Sequence, residues 1–150
     1  MNAFTPTPSR RPGQGARAYA RVGLETQVGS ASPQRLITLL FDGALAAIAK
    51  ARHQLETRDI AGRGQSISKA VDIVQNGLMS SLNREAGGEL ADNLHELYDY
   101  IIRQLLLGNL QADDAALQRC ATLLGQIADA WRSSVDTPAS PAPAQAFAGA

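Results

Sequence analysis

The two histidines and the carboxylates near them are the first residues that could do chemistry. Asp92-x-x-His95 sets a carboxylate and an imidazole one helical turn apart, and His53 has Glu56 at the same spacing. A carboxylate-bridged di-iron centre in a helical bundle wants Glu-x-x-His on two helices and a glutamate on each of the other two. The ligand set here is incomplete, so His95 is assigned to a polar face and no metal or cofactor is expected. Cys120 is the single cysteine. With no histidine motif beside it, it reads as a small hydrophobe rather than a nucleophile. No Ser/His/Asp or Cys/His constellation and no Gly-rich phosphate loop is recognisable. Asp42, polar in an apolar neighbourhood, is assigned to solvent. The chain is therefore not expected to be an enzyme.

Composition narrows the class further. The 150 residues are enough for one domain with a real core, and 45% of them are hydrophobic. Lys+Arg and Asp+Glu balance at 14 each, which gives no support to a nucleic-acid partner. One cysteine rules out an intramolecular disulfide and suits a reducing compartment. The N-terminus lacks an apolar leader core, and no apolar run reaches ~18 residues. A cytoplasmic protein without stable membrane insertion is expected.

Apolar spacing then supplies the elements, and all of them are helices. Ser32-Pro33 is a start signal: the serine caps free backbone N–H groups, and proline at the first helical position has none to satisfy. From there to about Leu55, Leu36, Leu40, Ala44 and Ile48 share a face, flanked by Ile37, Phe41 and Leu45. Together they cover roughly 180° of the helix, wider than the ~100° stripe of a one-sided surface helix. Remaining helices are expected to pack around it, with Gly43 permitting close approach. Asp59 caps a second helix reaching about Asn83, with Ile67, Val71, Val74, Leu78 and Leu82 on a narrower face. Ile73 and Met79 fall outside that face, as peripheral core or as contacts for something else.

Gly87-Gly88 breaks the chain before a third helix, which Gly108 and Asn109 end. Its apolar residues, running from Leu90 and Leu94 through Tyr98 and Ile102 to Leu106, again span about 180°. That is more than a corner helix buries, so either this helix is central or part of its face receives a partner. Tyr98 and Tyr100 lie about 160° apart, so one is expected inside and one at a surface. Asp113 or Asp114 caps a fourth helix to about Val135, whose face holds Leu117, Cys120, Leu124, Ile127, Ala128, Trp131 and Val135. Four amphipathic helices on short loops predict an all-α, antiparallel up-down four-helix bundle over residues 30–135. Residues 1–16 are expected to be a disordered basic arm, 17–29 a capping segment laid on the bundle, and 136–150 a disordered Pro/Ala-rich tail.

Three pieces in order resemble the flagellar export chaperone FliS family. They are Ser32-Pro33 followed by Leu36-Ile37 and the run Leu39 to Leu45; Leu82-Asn83 followed by Glu89-Leu90-Ala91 and Leu97-Tyr98-Asp99-Tyr100; and Ala130-Trp131-Arg132. With Tyr19 upstream, the likeness covers roughly Ala18 to Val135. It implies a four-helix bundle that binds the C-terminal segment of flagellin in the cytoplasm, prevents early polymerisation and hands its client to the export gate protein FlhA. It also implies that Tyr19 covers part of the flagellin groove. Phe41 departs from the pattern, since relatives often carry tyrosine there.

The surplus apolar faces fit such a role, because an amphipathic disordered segment needs a groove in which to bury its own apolar side. The groove is expected beside the first and third helices, at Leu36, Leu40, Phe41, Leu97, Tyr98, Ile101 and Leu105, with Tyr19 and Val22 as its cover. The sequence alone leaves open which of these apolar residues meet a partner and which form core. The rival reading is a helical structural or signalling module that self-associates, as a homodimer, through the same faces.

Overall fold

A computed structural model of the chain describes residues 31–136. The basic arm, the capping segment with Tyr19 and Val22, and the tail after Asp136 lie outside the described residues. Four helical rods fill the described part: α1 (Pro33–Glu56), α2 (Ile60–Asp72), α3 (Arg84–Gln111) and α4 (Asp114–Asp136). The second rod does not stop at Asp72. It runs on through a π-helical segment, Ile73–Leu78, and a 3-10 turn, Met79–Ser81.

The starts follow from local chemistry. Ser32 accepts from the Arg35 N–H at 3.1 Å and Pro33 opens α1. The Asp59 carboxylate accepts from the Gly62 N–H at 3.0 Å to open α2. Of the two candidate caps for α4, Asp113 does the capping, accepting from the N–H groups of Ala115 and Ala116. Asp114 is thereby free for a bidentate pair with Arg52 at 2.8 and 2.9 Å, which ties the end of α1 to the start of α4.

Connections of two or three residues leave each rod antiparallel to the next, and side-chain ties between rods record the same arrangement. Arg63 near the start of α2 donates to the Asn109 side chain (2.8 Å) and backbone carbonyl (3.1 Å) near the end of α3. Trp131 Nε1 near the end of α4 donates to Thr38 Oγ1 near the start of α1, at 3.1 Å. The rods pack in ring order, α1 on α2 and α4, α3 on α2 and α4. No helix is central: α1 and α3 sit diagonally across the core.

Two expectations shift. Gly108 does not end α3; the helix continues to Gln111 and stops at Ala112, a non-glycine in the left-handed region (φ 51°, ψ 47°). Gly108 serves packing instead, since a Cβ there would lie 2.8 Å from Leu117 Cδ2 and 3.2 Å from Ala116 Cβ. The double glycine does interrupt the helix, as expected, although a short helical turn from Arg84, capped by Asn83, precedes it. Gly88 (φ 54°, ψ −131°) is a kink within α3, bridged by Arg84 and Asp92 at 2.8 Å. Finally, Ile73 is buried core and Met79 packs half-buried against it. A π segment carries more residues per turn than an α-helix, so it rotates side chains out of the phase that regular spacing assigns them. Within it, Gly77 faces the Leu40 side chain, whose methyl carbons stand 3.1 and 3.3 Å from where a Cβ would be. Ser81 Oγ donates to the Gly77 carbonyl at 2.6 Å.

Candidate functional site

The residues first suspected of chemistry do not assemble. His53 is exposed and lies 3.9 Å from Glu56; Asp92 is taken by Arg84 and His95 is half-buried. Among the described residues no three histidine, cysteine or acidic side chains come together. Cys120 is buried, with its thiol 3.6 Å from the Ile101 carbonyl, and burial pushes its pKa up to about 11. Asp42 faces solvent and pairs with Arg132.

What remains to be placed is the surplus of apolar surface, and the structure divides it unequally. On α1 it is covered except at the half-buried Leu45. Leu36, Leu40 and Phe41 are buried, Leu40 and Phe41 inside the main core cluster. On α3, Tyr98, Ile101 and Leu105 are buried in the same cluster, while Leu97 is half-buried at its margin. α1 and α3 face each other across the core, so these buried side chains are covered by the chain's own helices. Tyr98 is the tyrosine that points inward. Among the described residues its hydroxyl has no hydrogen-bond partner, and burial drives the phenol far above its ordinary pKa. Tyr100 is the one at the surface, 38% exposed.

The uncovered surplus lies on the outer side of α3, further along than expected. Leu110 is 81% exposed, Leu106 51% and Leu107 42%. With Tyr100 they occupy an outward arc of roughly 120° at helical pitch, interspersed with the Asp99–Arg103 ion pair at 3.2 Å. Arg63 and Asn109 bring the start of α2 to this end of α3, and Ile60 in that first turn is also exposed. Leu107 and Leu110 gave no separate signal in the sequence. The unbroken run Leu105-Leu106-Leu107 was the available clue, since three adjacent residues spread over about 200° cannot all point into one core.

The class so defined is an up-down four-helix bundle that keeps one helix face apolar and open, a surface large side chains of a partner can use. The sequence model of the flagellar protein FliS family matches residues 15–138. The chain is similar to the flagellar secretion chaperone FliS of Salmonella typhimurium, at 50% identity over 79% of this chain and 87% of that protein. Its likeness to the flagellar secretion chaperone FliS of Escherichia coli is 44%, over 83% and 92%. The one from Bacillus subtilis is 28% identical, over 75% and 83%. The chain belongs to the FliS family, flagellar secretion chaperones whose partner is a flagellar export substrate. No described helix is long and apolar enough to cross a membrane.

Proposed function

We propose that the chain is a cytoplasmic export chaperone that holds the disordered C-terminal segment of flagellin, keeps it from polymerising early and delivers it to the export gate protein FlhA. The observation that carries this reading is the open leucine face of α3 in a member of a secretion-chaperone family. An amphipathic segment laid along Leu106, Leu107 and Leu110, with Tyr100 and the half-buried Leu97 at its edge, hides its apolar side and so loses the surface through which it assembles. Ordering the segment costs about 2–5 kcal/mol of the gross interaction, which keeps the complex releasable. The segment around Tyr19 and Val22 acts as a removable cover. Leu36, Leu40, Phe41, Tyr98, Ile101 and Leu105 support the face from beneath, as core, rather than meeting the client.

Calorimetric titration of the full chain with the last ~40 residues of its flagellin, a length suited to helix-in-groove contact, tests this. Binding is expected, and Leu106→Asp/Leu110→Asp should weaken it by at least tenfold, as loss of anchoring side chains does. Unchanged affinity in a folded variant sinks the proposed surface. A solution mass showing only a homodimer, with and without the peptide, would favour self-association instead. Deleting residues 1–28 should raise binding of an apolar-surface dye; no rise with unchanged affinity would remove the cover.

A further inference from the structure

A second surface lies on another side of the bundle, along the outer seam of α1 and α2. It is a trough of about 400 Å³. Its floor is made of small residues, Gly43, Ala46 and Ala47 from α1 and Gly62 from α2. Its walls are long polar chains, Lys50 on one side and Gln65 and Lys69 on the other, and at one end the Gln54 side chain crosses to hydrogen-bond the Ser66 hydroxyl at 2.6 Å. From Gly43 to Gln54 the trough follows about 16 Å of helix.

Lys50 and Lys69 are the only lysines in the 150 residues; the other twelve basic side chains are all arginine. The three-residue turn between α1 and α2 sets a register that brings both lysines to one trough, one on each wall. The surface arginines Arg52, Arg84, Arg103 and Arg132 each meet a carboxylate within 3.2 Å. No such pair involves either lysine among the described residues. Asp59 stands at the Gly62 end, and its carboxylate is already engaged as the α2 cap.

We infer that this trough is a docking site for an extended, acidic stretch of a partner protein. Two flexible cations on opposite walls match carboxylates that alternate along an extended chain. The Gln65 amide offers both a donor and an acceptor to its backbone, while Gln54 and Ser66 are engaged with each other. At about 3.3 Å per residue, the trough accommodates roughly five residues. The chain's own ends do not fit: residues 1–24 carry arginines and no acidic side chain, and none follows Asp136. The trough uses neither the leucine face of α3 nor its client, so both can be filled at once.

Fluorescence anisotropy of the full chain with fluorescein-labelled hexaglutamate tests the inference, with hexaglutamine and hexathymidylate as controls. Hexaglutamate is expected to bind and hexaglutamine not. Lys50→Gln/Lys69→Gln should weaken binding about tenfold, while Lys50→Arg/Lys69→Arg retains it. Amide shifts at Gly43, Gly62 and Ser66 should mark the site, and circular dichroism checks each variant's fold. Equal binding by the glutamine variant, shifts confined to the arginine arm, or tighter binding of hexathymidylate would each overturn it. Flagellin-peptide affinity should not change in the lysine variants, nor hexaglutamate affinity in Leu106→Asp/Leu110→Asp, so the two surfaces stand or fall separately.

Discussion

α1 and α3 begin with the same apolar breadth and end with opposite fates. Each spreads large side chains over about half its circumference, and each contacts two neighbours. On α1 the small residues Ala44, Ala47 and Ala51 let adjacent rods close in, and the large side chains from Leu36 to Ile48 that face them are buried, with Leu45 half-buried at the margin. On α3 the later leucines outnumber the positions that face a neighbour, so Leu106, Leu107 and Leu110 stay wet. Breadth of an apolar face therefore states a demand for contacts. Which neighbours answer it depends on ring order and side-chain size.

The contrast is sharpest in mutant stability. Phe41→Ala removes a fully buried ring and should cost ~3–5 kcal/mol of unfolding free energy, measured by urea titration. Leu106→Ala and Leu110→Ala should stay within about 0.5 kcal/mol of the parent. A loss above ~1.5 kcal/mol at either leucine would mean that α3 is as enclosed as α1, and the distinction would disappear. Tyr98→Phe probes the inner side of the same helix. Removing a buried hydroxyl that lacks a partner among the described residues should raise stability by around 1 kcal/mol, read as a higher melting temperature; a drop would show that the hydroxyl is satisfied after all.

The smallest expected effect lies at the α1–α4 end. The Arg52 guanidinium, hydrogen-bonding to Asp114, lowers that carboxyl's pKa, against a smaller opposing effect of burial. A depressed folded-state pKa gives stability that is present above the ordinary carboxylate value and is lost as pH falls through the folded one. Both side chains are over a third exposed, so solvent screening reduces the loss below pH ~4 to a few tenths of a kcal/mol. Asp114→Asn should remove that part of the acid dependence in melts between pH 5 and 3; an identical slope would discount the pair.

Much of this architecture was legible because it rests on local chemistry. Ser32, Asp59 and the short connections set where rods start and turn, and the helical spacing named most buried residues of α1 and α4 but missed Leu39, Ala47, Ala51, Ala116 and Ser134. Two kinds of feature were not. Core and contact residues share one periodicity, so Leu40, Phe41 and Tyr98 were indistinguishable from Leu106 until the ring order was known. Glycine was ambiguous in the same way: Gly108 reads as a terminator, yet its missing side chain admits Leu117 while Ala112 takes the left-handed turn. The π segment left no spacing signal at all, and Ile73 reached the core through it.

The indole of Trp131 sits where the first and last rods meet, its Nε1–H donating to Thr38 Oγ1, which in turn donates to the Gln34 carbonyl at 3.2 Å. It is the sole tryptophan in the molecule. Emission excited selectively at the indole thus comes from one seam. The protein carries a built-in optical gauge there, able to time the parting of those two rods without any label.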